Sequence, residues 1–343
     1  MKTLRHVDEL IAAGLVAPAR RAAVAAVAAR YAVALTPAVV ELIDRADPAD
    51  PIARQYVPDP DELEPGAGAR GDPIGDAAHA PLKGIVHRYP DRVLLMPLLH
   101  CPVYCRFCFR REAVGADKGL SDAELDAALD YVRRDPRIWE VVVTGGDPLM
   151  LPARRLARLV RQLDAIEHLG VIRFHSRVPV GDPARLTDAT VAALAGADKA
   201  VWLAVHCNHP RELSAAARAA CRRLVSAGIP LLGQTVLLKG VNDDPAVMEA
   251  LMRALVRNRI KPYYLHHLDL APGTARFRVP IADGQALMRR LRGRVSGLCQ
   301  PSYVLDIPGG HGKAPLGPTY LDDAGTVEDW RGQRHRYPPA DPD

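Results

Sequence analysis

Short apolar runs rich in β-branched residues alternate with amphipathic segments of helical period over most of the chain. The apolar runs predict strands at residues 92–97, 140–144, 171–177, 200–206, 230–238 and 262–268. The segments between them predict helices at residues 122–134, 153–166, 189–197, 213–227 and 245–257. Strands and helices in this order are typical of a parallel α/β sheet that is closed or partly closed as a barrel. The alternative is a doubly wound open sheet, but no G-x-G-x-x-G motif follows any of these strands.

The residues before the first of these strands have a different pattern. Apolar residues at helical spacing predict helices at residues 6–15, 19–34 and 38–44, with Pro18 and Pro37 near the starts of the second and third. Residues 47–85 are rich in Pro, Gly and Asp, and they predict a long irregular connector of the kind that often covers a functional site. Near the other end of the chain, residues 303–307 predict an edge strand before a glycine-rich tail.

This pattern divides the chain into three parts. We expect N-terminal helices and the connector in residues 1–85, the barrel in residues 86–300 and a C-terminal segment in residues 301–343.

Composition and charge narrow the class of protein. The chain has 343 residues, enough for one domain of barrel size with extensions. Its 45 basic and 40 acidic side chains give a formal charge of +5, spread along the chain, which suits anionic small molecules as well as nucleic acid. Sparse aromatic residues argue against a surface for single-stranded nucleic acid. No apolar stretch has the length of a membrane span and the N-terminus lacks a signal-peptide layout, so we expect a cytoplasmic protein, with an organellar transit peptide left open.

Three of the six cysteines lie in one motif, HCPVYCRFCFRR, directly after the first predicted barrel strand. Cys101, Cys105 and Cys108 have the spacing C-x3-C-x2-C, and three thiolates can hold three irons of a [4Fe–4S] cube while the fourth iron stays open. A zinc knuckle would need a fourth ligand, and His100 is too close to Cys101 to complete the tetrahedron. Three unrelated core thiols fit poorly in a segment so rich in arginine. The remaining cysteines are expected to be ordinary buried thiols: Cys207, Cys221 and Cys299.

Polar residues follow the predicted strands at their C-terminal ends, where the chemistry of a barrel gathers. After the cysteine loop come Gly145-Gly146-Asp147, Ser176-Arg177, His206 with Asn208, Gln234, and Asp269. A late stretch, DIPGGHGKAP, places Lys313 in a glycine-rich loop. A lysine in such a loop can form a Schiff base with pyridoxal phosphate, although alone it would be a surface lysine.

Taken together, these motifs resemble the lysine 2,3-aminomutase family of radical S-adenosylmethionine (SAM) enzymes. The matching pieces are HRYPDR at 87–92, CxxxCRxCxRR at 101–111, the GGD turn, SRVPV at 176–180, HxNHPxE at 206–212, QTVLLKGVND at 234–243, PYYLHHLDLAPGTxxFR at 262–278 and DIPGGHGKAP at 306–315. The resemblance implies a partial (β/α)6 TIM-like barrel of the radical SAM type with an N-terminal helical region and a short C-terminal extension. The chain is also similar to the short branch of the family that makes (R)-β-lysine for attachment to elongation factor P.

The resemblance implies three cofactors. A [4Fe–4S] cluster would be held by Cys101, Cys105 and Cys108, and pyridoxal 5′-phosphate by Lys313. The residues that would lie near the pyridoxal ring and phosphate are Arg88, Tyr89 and Arg92. The residues that would line the site of S-adenosyl-L-methionine are Gly145, Gly146, Asp147, His206 and Gln234.

The implied substrate is L-lysine, whose α-amino group would move to the β-carbon after a 5′-deoxyadenosyl radical removes hydrogen from the β-carbon. Arg110 would pair with the substrate carboxylate, and Asp269 and Asp306 with its distal ammonium. Two carboxylates around one cation favour lysine over glutamate. The alternatives are an aminomutase of the elongation factor P pathway, an aminomutase for a related amino acid, and a metal-binding protein without catalysis, which would leave Lys313 and the two aspartates without a role.

The resemblance also bears on partners. It implies a reducing electron donor such as flavodoxin or ferredoxin, and no nucleic acid or membrane partner. The chain reaches Asp343 without the cysteine-bearing extension of longer relatives, so we expect no zinc and leave a homo-oligomer open.

Overall fold

The structure, a computed structural model, describes residues 2–115 and 119–339. Nine strands form one sheet whose spatial order is the chain order. The strands are β1 (Ile85–Tyr89), β2 (Arg92–Leu98), β3 (Glu140–Gly145), β4 (Val171–Ser176), β5 (Ala200–His206), β6 (Leu231–Val236), β7 (Ile260–His266), β8 (Ser302–Ile307) and β9 (Gly312–Pro315). Strands β2 to β8 are parallel, whereas β1 and β9 pair antiparallel at the two edges. This order confirms the barrel-like α/β fold, because a doubly wound sheet reverses its strand order at a switch point.

The two edge strands approach each other, so the sheet is nearly closed. The backbone N–H of Lys313 on β9 donates a hydrogen bond of 2.8 Å to the hydroxyl of Tyr89 on β1. The guanidinium of Arg88 lies 3.7 Å from the carboxylate of Asp306 on β8. The sheet therefore forms a partial barrel whose gap lies between β1 and β9.

Helices cover the outside of the sheet. Those that connect successive parallel strands are Asp122–Arg134, Ala153–Asp164, Asp188–Leu194, Ala215–Ser226, Pro245–Arg257 and Ile281–Leu291. The other α-helices are Val7–Ala12, Arg21–Arg30, Pro37–Val40, Pro51–Tyr56 and Val178–Gly181, and the 3-10 helices are Pro18–Arg20, Pro60–Leu63, Ala77–His79, Pro148–Met150, Pro183–Arg185, Pro210–Glu212, Ala275–Phe277 and Gly297–Cys299. A small hairpin, β10 (Thr326–Glu328) and β11 (Arg334–Arg336), follows the sheet. Within the described residues, no helix is both long and apolar enough to cross a bilayer.

Along the strands, side chains that pack against the helices alternate with side chains that point into the barrel. In β4, Ile172 and Phe174 are buried in one continuous core with apolar residues of the surrounding helices, such as Leu129 and Leu163. Successive side chains of a strand point to opposite faces, so Arg173 and His175 face the inside of the barrel. Each strand thus uses one face for packing and offers the other to the site.

The six strands and five helices predicted for the barrel are all present, with ends shifted by a few residues. The pattern missed β1, β9 and the helix Ile281–Leu291. Residues 303–307 do form a strand, but β9 lies outside it and is the edge of the sheet. The helix predicted at residues 19–34 ends at Arg30, because Leu35 forms an antiparallel bridge with Leu4. The connector contains the short helices Pro51–Tyr56, Pro60–Leu63 and Ala77–His79, so only part of it is irregular.

The N-terminal region is joined to the cysteine loop by a buried carboxylate. Glu62 accepts hydrogen bonds from Arg106, with its closest contact at 2.6 Å, and from Arg111. Glu62 and Arg106 are almost fully buried. Burial raises the pKa of Glu62, but the two guanidinium groups outweigh it and hold the pKa below its usual value. Arg106 also donates to the carbonyl of Ala32, so one side chain connects the cysteine loop with two N-terminal segments.

We expect Glu62→Gln to lower the free energy of unfolding by about 3–5 kcal/mol, because it leaves two buried guanidinium groups without their anion. Urea denaturation of the anaerobic protein measures this change. The control is Glu41→Gln, at an exposed position, where we expect a change within about 0.5 kcal/mol. Equal stability of the Glu62 variant and the wild type would show that the buried ion pairs do not hold the two regions together.

Candidate active site

The three cysteines of the motif lie in the loop that follows β2, at the C-terminal end of the parallel strands. All three thiols are free and only partly exposed. Burial raises the pKa of Cys105 to about 12, and burial also raises the pKa of Cys101 and Cys108. The charge of Asp147, and then the negative charge of Cys108 or Cys105 as a thiolate, raise the pKa of Cys101 further, so the three sulfurs belong to one electrostatic site.

The chemistry of these donors fits an iron–sulfur cluster. A metal ligand must be a thiolate, and burial favours the neutral thiol, so the site requires a cationic group that compensates the charge. Arg177 and Arg110 supply part of that positive charge, since each lowers the pKa of Cys108. In the described part of the chain, no three His, Cys, Asp or Glu side chains are arranged around a single ion. Three sulfurs that each bind a different iron need no such arrangement.

The turn Gly145-Gly146-Asp147 packs against the backbone of His100, one residue before Cys101. A Cβ atom on Gly146 would lie 2.5 Å from the backbone nitrogen of His100, and Gly145 has a φ of 106°. The backbone N–H of Asp147 donates to the His100 carbonyl at 3.0 Å. The glycines are therefore needed for the approach of the turn to the cysteine loop, which fixes where that loop begins.

Both oxygens of the Asp147 carboxylate already accept hydrogen bonds from donors of the protein itself. It accepts hydrogen bonds from the hydroxyl of Ser176 and the backbone N–H of Arg177, both at 2.7 Å, and from the N–H groups of Leu149 and Val178 at 3.1 Å. These bonds tie the end of β3 to the end of β4. A ligand at this turn would therefore meet backbone atoms rather than the Asp147 carboxylate.

Two further strand-end residues also bind protein partners. Arg177 donates to the hydroxyl of Tyr56 at 2.7 Å and to Glu212 at 2.8 Å. The side-chain amide of Asn208 donates to Gln55 at 3.1 Å. Both residues thus attach the barrel to the N-terminal region.

Polar side chains inside the barrel have buried atoms that meet no hydrogen-bond partner among the described residues, namely His206 Nε2, Gln234 Oε1 and His266 Nε2. Such atoms are rare in folded proteins unless a ligand or water meets them. Burial lowers the pKa of His206 to about 3, so its ring is neutral and offers either a donor or an acceptor. These atoms fit a polar cofactor bound in the interior.

Sequence reasoning missed His175 and His266. The ring of His175 lies 5.6 Å from that of His206 in an edge-to-face contact, and His266 Nδ1 lies 3.7 Å from the carboxylate of Asp306. Each histidine is on the inward face of a strand, two or three residues before a motif residue. The alternation of β4 and β7 was the signal that could have identified them.

Lys313 and Asp306 face each other across β8 and β9. They are register partners in the antiparallel pair, and the amine of Lys313 lies 2.8 Å from the carboxylate of Asp306. Burial raises the pKa of Asp306, but the neighbouring His266 and the ammonium of Lys313 outweigh it, and the pKa stays below its usual value. Asp306 is therefore an anion at neutral pH.

The residues that the resemblance assigns to pyridoxal phosphate gather around Lys313. Tyr89 accepts the Lys313 N–H, and a Cβ atom on Gly312 would lie 2.9 Å from the Tyr89 hydroxyl. Arg92 stacks over the Tyr89 ring at 3.9 Å and pairs with Asp91. Arg88 has a buried Nε atom that meets no hydrogen-bond partner in the part of the chain that the structure describes. A lysine with two arginines and a phenol nearby fits an aldehyde that carries a phosphate.

The residues assigned to the substrate act on one another electrostatically. Burial, and then the charge of Asp306, raise the pKa of Asp269 to about 7, while the charge of Arg110 lowers it. No described residue donates a hydrogen bond to the Asp269 carboxylate; Thr274 reaches only its backbone carbonyl. The Nε and Nη2 atoms of Arg110 donate to Asp76 at 2.9 and 2.7 Å. Asp76 belongs to the connector and was not anticipated from the sequence.

The parallel barrel and the three-cysteine loop after its first parallel strand define the class of protein. Residues 96–251 match the family model of the radical SAM superfamily, which covers β3 to β6 with the cysteine loop. The chain is therefore a radical SAM enzyme. Membership in this class implies a [4Fe–4S] cluster and S-adenosyl-L-methionine.

Curated relatives narrow the family. The chain is 42% identical over 289 residues to the L-lysine 2,3-aminomutase of Acetoanaerobium sticklandii, a match that spans 84% of this chain and 70% of that protein. It is 41% identical to the L-lysine 2,3-aminomutase of Clostridium subterminale, over 84% of this chain and 69% of that protein. It is 37% identical to the glutamate 2,3-aminomutase of Clostridioides difficile, over 88% and 72%. The chain belongs to the 2,3-aminomutase family of radical SAM isomerases.

We expect Gly146→Ala to lower the iron and sulfide content of the reconstituted protein by more than half, because the added Cβ displaces the backbone at His100. Iron analysis and the visible absorption of the anaerobic protein measure the loss. The matched control is Gly297→Ala, since a Cβ there has open space around it. Full cluster content in the Gly146 variant would contradict the role given to this contact.

Proposed function

We propose that this protein converts L-lysine to β-lysine by moving the α-amino group to the adjacent carbon, with pyridoxal phosphate on Lys313 as a further cofactor. The arrangement of charges supports the proposal most directly. Arg110 is a cation with a free edge, Asp269 is a carboxyl group that feels the charges of Arg110, Asp306 and Lys313, and Lys313 Nζ lies 2.8 Å from Asp306. An amino acid that carries both a carboxylate and a distal ammonium matches this set of charges.

The two aspartates, Asp269 and Asp306, favour lysine over glutamate as the substrate. Asp306 is held in its anionic form, and its charge adds to burial in raising the pKa of Asp269. A second carboxylate from glutamate would be repelled by both groups, whereas an ammonium is attracted by both and lowers their mutual repulsion. A relative named glutamate 2,3-aminomutase is 37% identical to this chain, and we propose that Asp269 and Asp306 direct this chain to lysine.

The chain's own residues bind, orient and shield the substrate. Arg110 offers a guanidinium to the carboxylate, a pairing that fixes orientation as well as position. Asp306 and Asp269 accept hydrogen bonds from the distal ammonium, for which Lys313 Nζ competes at Asp306. The neutral ring of His206 and the amide of Gln234 line the interior without adding charge. The cluster with S-adenosyl-L-methionine supplies an organic radical, and pyridoxal phosphate supplies a group that carries the migrating nitrogen.

The proposal also includes a cellular location and an electron donor that reduces the cluster. We place the protein in the cytoplasm, with a low-potential electron donor of the flavodoxin or ferredoxin type. Reduction of the cluster is a requirement of the class, and a small acidic carrier would meet a chain with a formal charge of +5.

The central experiment is an anaerobic assay of the reconstituted protein with dithionite, S-adenosyl-L-methionine and labelled amino acid. We expect β-lysine from L-lysine and no product from L-glutamate. Turnover of glutamate without turnover of lysine would contradict the proposal. In Lys313→Ala we expect the pyridoxal absorption and β-lysine formation to be lost while the iron–sulfur absorption stays, and Lys239→Ala, at an exposed position, serves as the control.

We expect lysine to bind more tightly as pH rises from 6 to 8. The pKa of Asp269 is raised to about 7, so deprotonation over this range creates an anion at the ammonium end. The lysine ammonium stays charged there, since its pKa is about 10.4. The ionised fraction of Asp269 rises from about one tenth to about nine tenths, so Kd should fall about tenfold.

Calorimetric titration of the unreduced, pyridoxal-loaded protein measures this dependence without turnover. Asp269→Asn should bind lysine weakly at every pH and flatten the profile, whereas Asp283→Asn, at an exposed helix position, should keep it. A wild-type profile that is flat, or that falls with pH, would show that Asp269 does not bind the ammonium.

A further inference from the structure

Part of the connector lies directly on the turn between β8 and β9, residues 308–311, which we call the lysine loop because Lys313 follows it. The carboxylate of Asp72 accepts the backbone N–H groups of Asp76 and Ala77, both at 2.9 Å, which shapes residues 72–79 into a tight turn. Gly75 is so close to the loop that a Cβ atom would lie 2.5 Å from the backbone nitrogen of Gly310. His79 Nε2 lies 3.0 Å from the Gly310 carbonyl. Residues 72–79, which we call the cover segment, are thus attached to the turn that leads from β8 to Lys313 on β9.

Asp76 is the residue of the cover segment that reaches into the site. Its Oδ2 atom accepts hydrogen bonds from Nε and Nη2 of Arg110, and its Oδ1 atom accepts one from Arg88 at 3.1 Å. The three side chains are 10–17% exposed. One carboxylate therefore bridges Arg110 and Arg88, and Arg88 also lies 3.7 Å from the carboxylate of Asp306.

The contact with Asp76 leaves one edge of the Arg110 guanidinium available to a ligand. A guanidinium has five N–H donors in a fixed plane, and Asp76 uses the edge formed by Nε and one hydrogen of Nη2. The structure gives Nη1 of Arg110 no hydrogen bond within the described residues, and this atom is not among the fully buried ones. The end formed by Nη1 and Nη2 is the edge that takes a carboxylate through two parallel hydrogen bonds.

We propose that Asp76 is a positioning residue for the substrate carboxylate: it holds Arg110 by one edge so that the other edge faces the amino acid. The proposal rests on the proposed function in that the ligand is an α-amino acid. Arg88 connects the same carboxylate to Asp306, so Asp76 also links Arg110 to a residue that we propose binds the ammonium. The cover segment is then a fixed wall of the site and sets which substrates place their carboxylate at Arg110.

A competing interpretation has the opposite consequence. If Asp76 occupied the place of the substrate carboxylate, it would have to leave before the substrate binds, and its removal would strengthen binding. The attachment of the cover segment through Gly75 and His79 argues against such a movement, because the segment and the lysine loop are in direct contact on both sides of Asp76.

The test compares two ligands that differ only at the α-carboxylate, L-lysine and L-lysinamide, by calorimetric titration of the pyridoxal-loaded, unreduced protein. In Asp76→Asn we expect Kd for lysine to rise at least about tenfold and Kd for lysinamide to change less than about threefold, since only the former needs the charged contact to Arg110. Asp76→Glu restores a carboxylate and should recover part of the affinity. Asp122→Asn removes an exposed carboxylate of a helix outside the site and is the matched control for charge.

Turnover adds a second readout. In Asp76→Asn we expect KM for lysine to rise while kcat stays within about fivefold of the wild type, with cluster and pyridoxal absorption unchanged. Equal weakening of lysine and lysinamide would overturn the proposal, because it would show a structural effect of the whole cover segment. Tighter binding of lysine, or no change, would overturn it as well. If the wild type binds glutamate instead of lysine, the proposed substrate fails, and the same comparison with glutamate and its α-amide still tests Asp76.

Discussion

The ion pair between Asp306 and Lys313 is the interaction on which the site depends. Antiparallel pairing of β8 and β9 places the two residues opposite each other, with amine and carboxylate 2.8 Å apart. Because Lys313 also donates its backbone N–H to Tyr89 on the other edge strand, the pair lies where the rolled sheet closes. Closure of the barrel and placement of the reactive amine are therefore consequences of the same short strand. A change that detached β9 would open the sheet and displace the lysine together.

Charge balance explains why so many ionised groups can share one half-buried space. The groups linked by these contacts include the cations Arg88, Arg110 and Lys313 and the carboxyl groups of Asp76, Asp269 and Asp306. Buried charges are tolerated when each has a partner. Within the described residues no cation binds the Asp269 carboxyl group, and burial, with the added charge of Asp306, raises its pKa. An added ammonium would meet this one unpaired carboxyl group, and an added carboxylate would meet the free edge of Arg110. Bound lysine would thus pair its ammonium with Asp269 and its carboxylate with Arg110.

Much of this arrangement could be predicted from the sequence, because the signals are local. The barrel strands and helices follow from periodicity, and the cysteine spacing identifies its loop without any knowledge of the fold. Asp76 could not be found in this way, since it lies in a connector rich in Pro, Gly and Asp and reaches Arg110 only because Gly75 packs on Gly310. The strand β9 has four residues, begins with glycine and is a strand only because β8 precedes it. The placement of Asp76 and of β9 depends on contacts between residues far apart in the chain, and a single sequence does not show which residues make such contacts.

The most direct test of this account is the structure of the protein determined with pyridoxal phosphate and L-lysine bound in the absence of reductant. The account predicts that the distal ammonium lies within hydrogen-bonding distance of both Asp269 and Asp306, in the place where the free Lys313 amine now pairs with Asp306. It also predicts the substrate carboxylate on the Nη1–Nη2 edge of Arg110, with Asp76 still on the other edge. A lysine bound in the reverse orientation, or with its ammonium away from the two aspartates, would contradict the assignment of the site.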